Sequence, residues 1–284
     1  MTDYNLAQVH EAVEGRIPDR PCIIFRDRHL TYRQVGDRTR QLANVLAAAG
    51  MGARTPRSEP AGHESGQSHL ALHLHNGNEY LEGMIGAYKA RVAPFNVNYR
   101  YVEEELVYLL NDARADAVVY HSTFAPRLQA VRAEVPSLRV LLQVADDSGN
   151  GLLPGATWYE DALAAADPGP CRVERSPDDL YILYTGGTTG MPKGVLWRQA
   201  DIFPAALGGR APVTGAEWDS LDALIDNVRT GRSRVMPAAP FMHGAAHWAA
   251  FNALHGGSVV VLPDRSEVYD AADVLDTIAD ERVN

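Results

Sequence analysis

Short apolar runs alternate along this chain with longer amphipathic stretches, and that alternation leaves few options for its fold. Cys22 to Phe25, Leu70 to His75, Val92 to Val97, Ala115 to Tyr120 and Leu138 to Val144 read as strands. Asn78 to Arg91, Val102 to Asn111 and a segment near Thr123 to Glu134 read as helices between them. Thr31 and Gln34 form a capping box that opens a further helix, in which Val35, Leu42, Val45, Leu46 and Ala49 recur on one face. Strand and helix in turn imply an α/β fold, sheets flanked by helices. With 284 residues, 46% hydrophobic and 22% charged, the chain can bury a sizeable core. No internal repeat is visible.

Behind the strand-like run Tyr181 to Tyr184 lies a glycine and threonine loop that ends in lysine. Gly186, Gly187 and Gly190 free the backbone to bring its N–H groups close to an anion. Thr185, Thr188 and Thr189 add hydroxyl donors, and Lys193 adds a compact charge. Of 26 basic residues only Lys89 and Lys193 are lysine, so a lysine kept inside this loop points to an ammonium reaching between phosphate oxygens. The common nucleotide loop G-x-x-x-x-G-K-[ST] does not fit, because Pro192 precedes the lysine and Gly194 follows it. A solvated loop with an idle lysine is the bland alternative.

Thr185 to Gly194 match the pattern [ST]-[SG]-G-[ST]-T-G-x-P-K-G throughout. In this the sequence resembles the adenylate-forming enzymes, which include the acyl-CoA synthetases. Phe95 to Leu106 and Val195 to Asp201 are similar, more narrowly, to fatty-acid and steroid-acid CoA ligases of actinobacteria. A second block of the family matches Pro240 to Gly244, followed by Gly256, Gly257 and the strand-like Ser258 to Leu262. The resemblance implies ATP and Mg²⁺ as cofactors, coenzyme A as co-substrate, and a fatty or steroid carboxylic acid as substrate. It implies two half-reactions, adenylation of the carboxylate with loss of pyrophosphate and then thioester formation. The implied catalytic residues are Lys193 and His243, the latter beside the reacting carboxylate. Those implied to bind ATP are Thr185, Gly186, Gly187, Thr188, Thr189, Gly190 and Lys193.

The family's later motifs have no counterpart here. There is no Tyr-Gly-x-Thr-Glu segment, whose glutamate helps hold Mg²⁺ in the family, and Thr214 to Glu217 do not supply its T-G-D motif. Residues 1–284 are therefore expected to form an incomplete amino-terminal AMP-binding domain, without the mobile carboxy-terminal domain and ending behind an amphipathic helix that carries Val274, Leu275 and Ile278. An uncovered sheet edge would follow. Three functions stay open: a shortened acid–CoA ligase, with a second chain supplying the missing half; a non-catalytic ATP- or acyl-binding remnant; and an adenylating enzyme with another acceptor.

A formal charge of −10 and the absence of a basic run give no reason to expect nucleic acid. Cys22 and Cys171 are too few and too far apart for a disulfide framework. With no leader-like start and no long apolar span, a cytoplasmic protein is expected, peripheral membrane contact for an apolar substrate remaining open. His243, His247 and His255 read as one helix, the first two at i, i+4, but the glutamate of H-E-x-x-H is missing, so no metal site is assigned. Phe241, Trp248 and Phe251 are either acyl-pocket lining or core. Glu103 to Glu105 read as charges at a helix start, and Gly62 to Gly66 only imitate a nucleophile elbow. The polar stretch from Gly52 to His69 is either a surface loop or a disturbed segment.

Overall fold

The computed structural model describes residues 3–187, 190–228 and 233–284. Its first part contains α1 (Leu6–Arg16), β1 (Pro21–Phe25), β2 (Arg28–Thr31), α2 (Tyr32–Ala48), β3 (His69–His73) and α3 (Asn78–Lys89). There follow β4 (Ala93–Asn96), α4 (Glu103–Asp112), β5 (Ala117–His121), α5 (Ala125–Val131), β6 (Val140–Val144), β7 (Thr157–Trp158) and α6 (Tyr159–Ala164). The remainder comprises β8 (Leu180–Gly187), β9 (Gly190–Arg198), α7 (Gln199–Ala206), α8 (Leu221–Val228), β10 (Arg234–Val235), α9 (Gly244–His255), β11 (Val259–Leu262) and α10 (Ala271–Asp280).

Five strands in the order β4-β3-β5-β6-β7 form a wholly parallel sheet. A second sheet runs β10-β11-β1-β2, with only β2 antiparallel, and β8 and β9 form a separate antiparallel hairpin. The parallel sheet is apolar on both faces, which is why its strands read as unbroken apolar runs. Leu70, Leu72, Ala117 and Val119 point into a large core shared with α1, α2, α3 and α9. Ala71, Val118 and Tyr120 point into a smaller core under α4 and α5. β8 divides itself in the same way, Tyr181 and Leu183 to the first core and Leu180, Ile182 and Tyr184 to the second.

All of α3 is buried, polar residues included, so those residues need internal partners. Glu82 receives two hydrogen bonds from Arg38 and one each from Asn78 and Tyr159. Lys89 donates to Thr39 Oγ1 at 2.8 Å and to the Gly36 carbonyl at 3.3 Å, and burial lowers its pKa to about 8. One of the chain's two lysines is thus part of the α2–α3 packing.

Several expectations are revised here. α1 opens with an Asn5–Gln8 capping box that the sequence reading passed over, as it passed over β2 and α6. The helix expected near Thr123 to Glu134 is a short α-helix between two 3₁₀ turns, Ser122–Phe124 and Arg132–Glu134. His243 is not in a helix with His247 and His255; it has extended backbone and precedes α9 as its N-cap. Glu105 accepts from the Val102 N–H at 3.0 Å and so caps α4. The stretch from Gly52 to His69 is a surface loop closed by an Ala53–Gln67 bridge, with Arg57 donating to the carbonyls of Ala61, Gly62 and Glu64.

Candidate active site

The hairpin β8–β9 carries the glycine loop at its tip, where Thr188 and Thr189 lie outside the described residues. Its register pairs Thr185 with Lys193 and Gly187 with Gly190, with an irregularity between Thr185 and Gly187. Cross-strand partners share a face, so Thr185 and Lys193 project to the same side at the mouth of the loop. Both residues are exposed, and Lys193 has no ion-pair or hydrogen-bond partner among the described residues. Gly190 has φ +156, a backbone conformation that glycine takes easily, and a side chain there or at Gly186 would meet nothing within 4 Å. The backbone of the tip is open to approach.

Gly194 has a different job. A Cβ at this position would lie 2.8 Å from the Tyr184 ring, which crosses the strand here to donate its hydroxyl to Asp112 at 2.7 Å. Burial and the neighbouring Asp112 carboxylate push that phenol's pKa up, so it stays a donor. Gly194→Ala is expected to cost ~1–3 kcal/mol through overpacking, seen as a lower urea midpoint, and an unchanged midpoint would show that Tyr184 can move aside freely.

Two asparagines bring the second family block to the hairpin. Asn96, at the end of β4, donates to the carbonyls of Tyr184 (2.8 Å) and Met242 (2.7 Å) and accepts from the Tyr184 N–H (2.8 Å). Asn76 accepts from the Phe241 N–H at 2.7 Å and donates to the Ala239 carbonyl at 3.1 Å. Gly244 completes the approach, since a Cβ there would lie 2.7 Å from a Leu183 methyl. Leu183 is on the same face as Thr185, two residues away, ~7 Å along a strand. Gly244 thus packs on the face that carries Thr185 and Lys193, and the side chain of the preceding His243 is exposed.

His247 and His255 belong to the core. His247 lies between the Tyr181 hydroxyl (2.9 Å to Nδ1) and the Phe241 carbonyl (2.6 Å to Nε2), an arrangement that fits an Nε2–H tautomer. Burial lowers its pKa to about 4. Phe241 and Phe251 are likewise core residues, while Trp248 is 40% exposed. Beside Pro240 opens a cavity of 280 Å³ whose wall includes Asn76, Tyr99, Arg100 and Val268. Among the described residues no cluster of three or more His, Cys, Asp or Glu side chains could hold a metal ion. Nor is any described helix long and apolar enough to cross a membrane.

A profile of the family described as AMP-binding enzyme matches residues 10–284. The chain belongs to this family. A medium-chain acyl-CoA ligase of Mycobacterium avium is 50% identical to this AMP-binding family member over 283 residues, 99% of the chain and 52% of the relative. A ligase of Mycobacterium marinum, named for medium- and long-chain fatty acids and for 3-oxocholest-4-en-26-oate, is 35% identical over 99% of the chain and 49% of the relative. Among solved structures, an inhibitor-bound N-terminal domain of FACL13 from Mycobacterium tuberculosis superposes with a TM-score of 0.76 at 23% identity, over 98% of the chain and 61% of that structure. The AMP-binding chain thus spans about half the length of the curated relatives it matches.

The asparagine staples were missed from sequence. Asn96 lies within Phe95 to Leu106, but nothing in the spacing shows that its amide bridges three backbone groups.

Proposed function

We propose that this chain supplies the ATP-binding half of an ATP-dependent acid–CoA ligase acting on a fatty or steroid carboxylic acid. The observation that carries the proposal is the pairing of Thr185 with Lys193 across an open glycine hairpin, with Gly244, next to His243, packed on Leu183 of the same strand. In adenylation a carboxylate attacks the α-phosphorus of ATP and the bond to pyrophosphate breaks. Both partners are anionic, so the reaction needs positive charge and oriented N–H groups where charge accumulates. Lys193, the Thr185 hydroxyl and the loop backbone suit the β and γ phosphates, and His243 suits the neighbourhood of the carboxylate. Lys193 has no ion-pair partner among the described residues, which leaves its charge available to a phosphate. Among the described residues no cluster of His, Cys, Asp or Glu side chains provides a Mg²⁺ site.

Uncovered apolar surface favours a second chain in complete turnover. α10 buries none of its residues, and Leu275 is 64% exposed. Among the described residues β9 pairs only with β8, and Met191, Val195 and Trp197, on the face that also carries Lys193, are 42%, 42% and 39% exposed. The fatty- or steroid-acid substrate class and coenzyme A as acceptor rest on the names of the relatives and on the motif resemblance. ATP binding by the purified chain, followed by calorimetry, tests the half assigned to it. Lys193→Ala is expected to weaken binding by ~10-fold or more, the scale of one lost charged donor. Equal affinity in a folded variant would remove Lys193 from the phosphate site.

A further inference from the structure

At the far edge of the parallel sheet, away from the hairpin, β6, β7, α2 and α6 line an open hollow of 570 Å³ that the proposed adenylation site does not use. β7 is four places from β4 in the sheet, ~19 Å at ~4.8 Å per strand, so this is a separate site. Its wall includes Val45, Ala48, Val140, Leu142, Ala162 and Ala165. Leu142 and Ala162 are core residues, so the floor of the hollow is the edge of the main core. The alanines leave empty the volume that longer side chains would have filled.

The rim is positive on one side. Arg139 lines the hollow, and its side chain is 48% exposed. It shares the Asp116 carboxylate with Arg54, at 3.2 and 2.5 Å, so two guanidinium groups face one carboxylate and one positive charge is uncompensated. Arg132 lies next to the lining residue Gly155, where its Nη2 would be 3.3 Å from an added Cβ, and it has no ion pair among the described residues. The acid on the opposite rim, Asp167, has one carboxylate oxygen engaged by the Gly169 N–H at 2.8 Å.

We propose that the hollow is a second ligand site for a free aliphatic carboxylate, its chain lying along Val45, Leu142 and Ala165 and its head group on Arg139. The volume is that of a single small-molecule site, within the usual range of about 300–1,000 Å³, and favours one chain over a two-chain lipid. An apolar floor with a half-exposed arginine at its rim matches a molecule with an alkyl tail and one anionic end.

The test is photolabelling of the whole chain with a diazirine-bearing dodecanoate, followed by peptide mapping. Saturable labelling of peptides from 139–167 is expected, reduced at least ~10-fold by Ala165→Trp and to a smaller degree by Ala48→Leu. Both substitutions are at exposed positions, and a thermal melt checks that each variant folds. The corresponding alcohol should compete at least ~10-fold less well than dodecanoate, and Arg139→Gln should erase that difference. Lys193→Ala should label as the parent does, which separates this site from the adenylation site. Labelling confined to α9, labelling that does not saturate, or full labelling of both plugged variants would overturn the proposal. So would equal competition by acid and alcohol in the unmodified chain.

Discussion

Acidification from pH 7.5 to pH 5 is expected to lower the stability of this chain by several kcal/mol, enough to unfold it at temperatures where it is native at neutral pH. Burial lowers the pKa of His73 to about 3 and those of His121, His247 and His255 to about 4, and pushes that of His10 well down. Both ring nitrogens of His10 and His73 are buried without a hydrogen-bond partner among the described residues, so no such bond offsets the cost of charging them. In the unfolded chain the same residues titrate near 6.5. Below that value the unfolded state takes up protons that the folded state refuses. The stability is therefore fully present above about pH 6.5 and is lost as pH falls towards the folded values near 4. Each histidine contributes up to ~1.4 kcal/mol per pH unit in that window, so a few together approach a typical total of ~5–15 kcal/mol within two units.

Opposing groups are fewer. Burial and the Glu82 carboxylate raise the pKa of Glu79 to about 7, and burial raises that of Asp179, which favours the folded state as pH falls, but these are two carboxyls against the histidines named above and His69 and His75, whose pKa burial also lowers. Lys89, at about 8, is protonated in both states throughout the window and adds no slope. Urea midpoints at pH 7.5, 6.5, 5.5 and 5.0 should fall progressively below 6.5. His73→Phe should flatten the fall, since His73 already stacks on Phe124 with 4.3 Å between ring centroids. Equal midpoints at pH 7.5 and 5.0 would mean that these histidines are not held neutral.

Asn96→Ala is the single substitution expected to do most damage to the site. It strands the Tyr184 N–H and removes one partner each from the Tyr184 and Met242 carbonyls, all around a side chain that is only 3% exposed. A buried polar group left unpaired costs ~1–3 kcal/mol, so a loss on the order of 3 kcal/mol is expected in urea unfolding. Function should suffer beyond stability, because Asn96 fixes the segment before His243 against β8. Under conditions where the variant is still folded, and if Lys193 and His243 have the roles proposed above, ATP binding should change less than acid-dependent adenylation. Asn96→Asp tests the polarity of the bridge: it keeps the acceptor for Tyr184 N–H and loses both donors. Parent-like stability of Asn96→Ala would show that water replaces the amide at no cost.

The central strands were legible in the sequence because β3, β5 and β6 are buried on both faces and carry unbroken apolar runs. α2 announced itself through its Thr31–Gln34 capping box. β2 did not, since Arg28–Thr31 is a short strand with only partial burial and no apolar run. The glycine loop was legible as a mark of the family, but its hairpin register was not, and register is what sets Thr185 opposite Lys193. His243 was misplaced onto the helix because the periodicity of α9 continues backwards through Gly244, whereas the backbone at His243 is extended. The role of Lys89 was invisible for the opposite reason: composition singled it out, but only the packing of α2 on α3 shows that it is sealed between Thr39 and Gly36.

The most direct test of the account is acid-dependent ATP–pyrophosphate exchange, with medium-chain, long-chain and steroid carboxylic acids offered in turn to the purified chain and to the chain mixed with a polypeptide carrying the second half of a close relative. The account predicts exchange that needs one of these acids, is stronger in the mixture, and falls at least ~10-fold in Lys193→Ala. Exchange that is unchanged by Lys193→Ala, or no exchange from either sample while ATP still binds, would contradict the assignment of this chain to carboxylate adenylation.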